Sequence, residues 1–277
     1  MPAQSTEKPE ISHKISKVVV LAKDEENNLT HSLPKLLKHF DNVEVWDSGS
    51  TDQSKTIASD LGATVKDYVY VSHRKAYQDI IESVPEDEYC IVLDADMDVS
   101  DDLATELMEI THQGIRIASA PVIMVHFGYV LKHASLYPPK PILFRGGESP
   151  FVSRGHGETI PQDIPVVQLK SSLMHDDRKS FLRFLQSQIY YGTQAAKRYR
   201  KLKKLRFRER LLAKHPLVLS LLYFFVSYIL RRGFLDGKGG YLYAYDRMVA
   251  CMIVHRQHLV YGHKSEEDES EENESNY

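Results

Sequence analysis

Residues 43–65 read VEVWDSGSTDQSKTIASDLGATV, and the parsing of this stretch decides the fold. Apolar and polar residues alternate from Val43 onward, the period of a half-buried strand. Small polar residues and Gly49 follow, the composition of a turn. Ile57, Ala58 and Leu61 then recur at helical spacing as far as Gly62, a residue suited to a helix end. Ser50 and Gln53 have the separation of a capping box, the hydroxyl serving a helix N–H and the amide reaching back. Strand, tight turn, helix and glycine stop account for the segment without a ligand. With Asp47 and Asp52, the same turn is also a candidate edge for binding hydroxyls and phosphates.

Outward from this stretch the rhythm repeats. KVVVLA (17–22) is a β-branched run bounded by KDEENN, a cap-rich loop leading into LTHSLPKLLKHF. After Val65 come the helical pattern HRKAYQDIIESV and the apolar run YCIVLD (89–94). Such βαβα alternation with short connections predicts an α/β fold with a mostly parallel sheet. Ligands of such sheets sit beyond the carboxyl ends of the strands, which is where Asp24, Asp47 and Asp94 fall. From about residue 115 to 173 the pattern changes to extended segments joined by Pro- and Gly-rich loops, and beyond Ser180 it turns helical. The predicted organisation is a disordered segment 1–15, a catalytic domain 16–178, a helical extension 179–263 and an acidic tail 264–277. The chain shows no internal repeat.

At 277 residues and 42% hydrophobic content the chain is large enough for a full core. Two cysteines, Cys90 and Cys251, make no disulfide framework, and Cys90 sits in a strand-like run where a small buried thiol is expected. That usage favours a reducing compartment. MPAQSTEKPEISHK at the start is polar, with no stretch resembling a signal peptide. The net charge is −3, but residues 265–277 carry seven acids and no base, so the remainder is net positive. That tail lacks the apolar residues needed to offset ordering entropy.

IVLDADMD ends a buried strand with Asp94-Ala95-Asp96, and Asp98 follows. Carboxylates two apart at a strand end project to one side and are able to share a divalent cation whose shell is completed by bound phosphate. Helix capping by Asp101 with solvated Asp94 and Asp96 is the plainer alternative.

Together, VVVLAKDEENNL, VEVWDSGSTDQSKTIASDLGATV and YCIVLDADMDVSDDL resemble family 2 glycosyltransferases of the GT-A fold. PILFRGG, RGHGETI, MHDD and GFLDGKGGYLYAY are similar, in the same order, to later motifs of the lipopolysaccharide-core branch. The resemblance spans about residues 17–256. It implies a metal-dependent, inverting transfer from a nucleotide sugar, with Mn²⁺ or Mg²⁺ as cofactor and a lipid-linked or lipopolysaccharide-type glycan as acceptor. It further implies that Asp24 and Glu25 line the nucleotide pocket and that Asp47 accepts hydrogen bonds from base or ribose, with Ser48 and Asp52 shaping that turn. Arg74 would reach a diphosphate oxygen, or is a solvated helix charge; Asp94 would contact the ribose or sugar, and Asp96 the metal. Glu158 matches the family's His-Glu-type motif and would be the base, although a Gly separates it from His156. His175 is a candidate third metal ligand, since imidazole suits Mn²⁺; a core or capping histidine is the alternative. Arg145, Asp236 and Lys238 would stand on the acceptor or diphosphate side, Arg145 equally well pairing with a neighbouring acid. Tyr129 and Tyr137 suit sugar faces, or belong to the core.

Residues 197–210, KRYRKLKKLRFRER, hold nine bases and one acid, and residues 217–230 then run without a charge before Arg231 and Arg232. A spanning helix needs about 20 apolar residues, so an interfacial or re-entrant helix beside anionic lipid is expected, with Leu222, Phe224 and Phe225 among its membrane-facing residues. A buried core helix with a solvated basic neighbour is the alternative. Nucleic acid is disfavoured, because no recognition motif accompanies the basic patch. The expected location is cytoplasmic, peripherally attached to the inner face of the membrane. A noncatalytic module of the same fold, binding nucleotide sugar or anionic lipid, is the competing function; Asp94, Asp96 and Glu158 favour the enzyme. A nucleotidyltransferase is disfavoured because no Gly-rich loop with a basic residue follows the first strand.

Overall fold

The computed structural model describes residues 14–147, 149–154, 157–161, 163–178, 180–201 and 216–261, with the backbone alone at 152–154, 157–159, 198–201 and 216. The expectations for the amino-terminal segment, the acidic tail, His156 and the basic residues 202–210 lie outside the described residues, as does that for the side chain of Glu158. The chain divides into two compact units: the described residues of 14–123 and 137–177, and those of 124–136 and 178–261.

The first unit opens with β1 (Ile15–Ala22), α1 (Glu26–Leu37), β2 (Val43–Asp47), α2 (Ser54–Asp60), β3 (Thr64–Asp67), α3 (His73–Glu82) and β4 (Tyr89–Asp94). β1 lies between β2 and β4, parallel to both, with β3 parallel outside β2. Because strand side chains alternate, Val18, Val20 and Ala22 share one face with Ile91 and Leu93, packed with Leu29, Leu33 and Leu36 of α1. Val19 and Leu21 share the other with Trp46 and Val92, packed with Ala76, Ile80 and Ile81 of α3. A strand covered on both faces reads as a continuous apolar run, which is why KVVVLA shows no alternation. The turn glycines behave as the sequence requires: Gly49 and Gly62 have φ of 82° and 98°.

The chain continues through β5 (Met97–Asp98), α4 (Asp101–Thr111), β6 (Ile117–Ala120), β7 (Val122–His126), β8 (Tyr129–Leu131) and β9 (Lys140–Arg145). β9 pairs antiparallel with both β4 and β6, so the sheet changes direction beside its central strand. After β10 (Val152–Arg154) and β11 (Gly157–Thr159), which form a hairpin, β12 (Val167–Gln168) adds parallel to β6. The resulting seven-stranded order is β12-β6-β9-β4-β1-β2-β3. β13 (Leu173–Asp176) pairs with β5, placing His175 opposite Met97.

The second unit holds α5 (Phe181–Lys201), α6 (Pro216–Phe225), a π-helical turn (Val226–Leu230), a 3₁₀ turn (Gly233–Asp236) and α7 (Gly237–Tyr261). Residues 124–126 of β7 pair with β8. A His126–Asp246 contact of 2.8 Å ties this ribbon to α7.

Candidate active site

Asp47 ends β2, and its turn closes on it. Its Oδ2 accepts the N–H groups of Gly49 (3.0 Å) and Ser50 (2.9 Å), and the Ser50 hydroxyl donates to Oδ1. The residue is 1% exposed. Asp47, expected to serve base or ribose, is thus held inside the turn, as the ligand-free parsing of this segment has it. The capping box does not form: Ser50 Oγ accepts from the Asp24 N–H at 2.8 Å, and Gln53 makes no side-chain cap. Asp52 takes that part, its Oδ1 accepting from Ser54 N (2.9 Å) and its Oδ2 from Glu26 N (3.2 Å).

The loops after β1 and β2 are therefore stitched together. Thr51 N donates to Asp24 Oδ1 at 2.8 Å, and Glu25 N donates to Ser54 Oγ at 2.7 Å. Asp24 has a φ of 54°, a conformation that costs a non-glycine residue energy and is held here by these bonds. Ser48 donates its N–H to the Ala22 carbonyl. Asp24, Glu25, Ser48 and Asp52 stand together at the carboxyl ends of β1 and β2.

Asp94 ends β4 opposite Leu21. Its Oδ2 is ion-paired with the Lys140 ammonium, and its Oδ1 is buried with no hydrogen-bond partner among the described residues. Asp96 Oδ2 lies 2.9 Å from His175 Nε2, and the Asp176 N–H donates to the Asp96 carbonyl. Burial opposes the imidazolium form of His175, but its hydrogen bond to Asp96 and the nearby carboxylates outweigh that, so its pKa is raised. Burial likewise opposes the Lys140 ammonium, yet Tyr77, Asp94 and Tyr137 hold its pKa above the ordinary lysine value. The Tyr137 ring lies 5.1 Å from that of His175, and burial lifts its phenol. A cavity of about 600 Å³ is lined by His73, Tyr77, Asp94, Tyr137, Lys140 and Phe151, among others.

Among the described residues no three His, Cys, Asp or Glu side chains are grouped to hold a metal. His175 Nε2 is engaged by Asp96 through a hydrogen bond. The acid pair still fits a divalent cation, because such ions with few protein ligands take phosphate and water for the rest, and because Asp94 Oδ1 is an unsatisfied buried anionic oxygen.

Lys140 has no counterpart in the sequence reading, which chose Arg145 from the same strand. β9 runs antiparallel to β4, so Arg145 stands opposite Tyr89, where its Nε donates to the Glu86 carbonyl at 2.6 Å. At roughly 3.3 Å per residue, it lies a full strand length from Asp94. A signal for Lys140 was present: a lysine among prolines, in PPKP, opening an otherwise apolar strand.

Arg74 is exposed on the first turn of α3. Glu158 sits opposite Ser153 in the β10–β11 hairpin. In the second unit both Asp236 carboxylate oxygens accept backbone N–H groups, from Lys132, His133 and Ala134. This clamp accounts for the residue without a ligand. Lys238 is exposed at the start of α7, and Tyr129 is exposed on β8. Leu222 and Phe225 are exposed on α6, whereas Phe224 packs its ring 5.4 Å from Tyr228. Cys90 and Cys251 are both buried, and burial pushes the Cys90 thiol up to about 12.

No model of a known protein family matches the sequence. Among solved structures, glucosyl-3-phosphoglycerate synthase from Mycobacterium tuberculosis, in complex with Mn²⁺, uridine diphosphate and phosphoglyceric acid, is similar over 40% of this chain and 43% of that one, at 20% identity and a TM-score of 0.33. The chain thus spans less than half of that synthase in this match. The same synthase with Mn²⁺, UDP-glucose and phosphoglyceric acid is similar over 66% of this chain and 79% of that one, at 17% identity and a TM-score of 0.42. Mannosyl-3-phosphoglycerate synthase from Rubrobacter xylanophilus is similar over 70% and 77%, at 12% identity and a TM-score of 0.39. The fold class expected from the sequence, α/β with a mostly parallel central sheet, is the one this chain has.

Proposed function

We propose that this chain is a metal-dependent, inverting GT-A glycosyltransferase. It moves a sugar from a nucleotide-sugar donor to a lipid-linked or lipopolysaccharide-type glycan at the inner face of the cytoplasmic membrane. The supporting observation is the buried, unpartnered Oδ1 of Asp94 at a residue that lines the 600 Å³ cavity. An unsatisfied buried carboxylate oxygen is costly, and a cation or a donor hydroxyl relieves that cost.

A divalent cation, Mn²⁺ or Mg²⁺, would supply positive charge for the departing nucleoside diphosphate. Asp94 and Asp96 would hold it, with His175 orienting Asp96 through their hydrogen bond. Lys140 supplies a fixed positive charge beside Asp94. The stitched loops of Asp24, Glu25, Ser48 and Asp52 form a preorganised wall at the strand ends. Glu158 takes the proton of the acceptor hydroxyl.

The test is mass spectrometry of reactions of the full chain with a nucleotide-sugar panel, Mn²⁺ and a membrane lipid extract. A nucleoside diphosphate and a glycosylated lipid are expected together. Glu158→Gln keeps shape but loses basicity, so it should bind donor normally and transfer about 10²–10⁴-fold more slowly. Donor binding with no product from any donor would leave a noncatalytic nucleotide-sugar module instead.

A further inference from the structure

One helix of the second unit turns a continuous apolar face outward. In α6 and the π-helical turn, Leu217, Val218, Leu221, Leu222, Phe225, Ile229 and Leu230 are 44–63% exposed. Their spacing follows one face of a helix. The opposite face joins buried Leu219, packed with Cys251, and half-buried Tyr223 to two fully buried serines, Ser220 and Ser227, and the Ser227 hydroxyl donates to the Ala134 carbonyl at 2.6 Å. The helix start beyond is equally tight. A Cβ on Gly240 would lie 1.9 Å from the Gly233 carbonyl oxygen, and one on Gly239 would lie 2.3 Å from Tyr129 Cβ. An outward face of large apolar residues is the reverse of a water-facing helix, and close glycine and serine contacts beneath it are common where helices pack in lipid. Phe234, Leu235, Tyr241 and Tyr245 extend the exposed surface past the break.

Length and charge decide how this face meets a bilayer. Residues 217–230 cover about 21 Å at 1.5 Å per residue, short of the roughly 30 Å hydrocarbon core. Among the described residues no single helix is long and apolar enough to cross a membrane; the pair Leu217–Leu230 and Gly233–Tyr261 passes only together, bent by 73°. Charge brackets the apolar run on both sides: nine bases within residues 197–210 before it, Arg231 and Arg232 after it. A segment with cations at both ends keeps both ends at the headgroups. We propose that α6 and the π-helical turn lie in the plane of an anionic phospholipid surface, with Leu217, Leu221, Leu222 and Phe225 in the acyl layer and the arginines at the phosphates. Anionic lipid is the occupant this charge pattern fits. The inference stands on the packing of this unit and is independent of the transfer reaction.

The experiment uses the full chain without nucleotide. Phosphatidylcholine vesicles, and vesicles with 30% phosphatidylglycerol, are floated with wild type, with Phe225→Trp and with a Leu222→Ser/Phe225→Ser variant. The expected result is flotation with the anionic vesicles, partial release at high salt, and a bound fraction several-fold lower for the double variant at unchanged circular dichroism. Trp46 is 1% exposed, so acyl-brominated lipid should quench the indole introduced by Phe225→Trp and leave wild-type emission unchanged. Failure of wild type to float with either vesicle overturns the proposal, as does flotation with no quenching of Phe225→Trp. A lipid-free dimer in light scattering that the double variant dissociates would also overturn it, since a second copy would then cover the face.

Discussion

Asp47 has its two carboxylate oxygens engaged by three groups of its own turn. Asp47→Ala should therefore cost about 2 kcal/mol of stability, read as a lower urea midpoint, while nucleotide affinity stays close to wild type. A loss in affinity at unchanged stability would return the residue to the role expected from the sequence. Lys140 is the converse case, a residue that no motif singled out but that neutralises Asp94. Removing one partner of a largely buried pair leaves an uncompensated charge, at a cost of roughly 3 kcal/mol. Lys140→Met should thus unfold at lower denaturant, bind nucleoside diphosphate more weakly and bind Mn²⁺ alone more tightly, because Asp94 has lost its competing cation. Calorimetric titration separates these effects, and an unchanged Mn²⁺ affinity would place Lys140 outside the metal site.

At the scale of elements, the contact of α7 with the 3₁₀ turn sets the sign of a common substitution. Gly→Ala inside a helix ordinarily gains about 1 kcal/mol. At Gly240 the added methyl meets the Gly233 carbonyl oxygen at 1.9 Å and its carbon at 2.8 Å, backbone atoms that cannot rotate aside. Gly240→Ala should instead lose about 2 kcal/mol, seen as a lower thermal midpoint. β3 and α3 are joined by another device. The Tyr68 hydroxyl donates to Asp79 at 2.9 Å, and its ring lies 4.9 Å from Trp46. Burial first, then Asp79, raises the Tyr68 pKa from 10.0 to about 12. Between those values the unfolded chain has released a proton that the folded chain keeps. The stabilisation is therefore complete below pH 10 and is lost as the pH rises toward 12. Tyr68→Phe should flatten the fall in stability across that window in denaturation curves taken from pH 9 to 12. Tyr89 and Tyr137 are also raised, so part of the slope will remain.

For the whole molecule, the acid pair of the first unit has protein partners without a cation, Lys140 ion-paired with Asp94 and His175 hydrogen-bonded to Asp96. Chelation should leave the thermal midpoint of the nucleotide-free protein unchanged. It should weaken donor binding by more than about tenfold, the equivalent of roughly 1.4 kcal/mol, and Mn²⁺ should restore it. A midpoint that drops on chelation would mean a structural metal. A donor affinity indifferent to chelator would mean that Lys140 alone carries the diphosphate.

The sequence alone determined the parts whose physics is local. Hydrophobic period placed the strands and helices from Ile15 to Asp94, turn chemistry placed Gly49 and Gly62, and the order of elements set the acid pair at the carboxyl end of a parallel strand. The partners of the site residues were decided by tertiary structure, because they come from far along the chain. Lys140 reaches Asp94 across 46 residues only because β9 enters antiparallel, the orientation that also sends Arg145 to the far end of the strand. His175 reaches Asp96 across 79 residues through the β5–β13 pairing, which no periodicity in MHDD encodes. Composition identified residues 217–230 as apolar, but which of their faces turns outward depends on where Ser220, Ser227 and Gly233 find a close neighbour. That neighbour lies in another element, and only the packed structure supplies it.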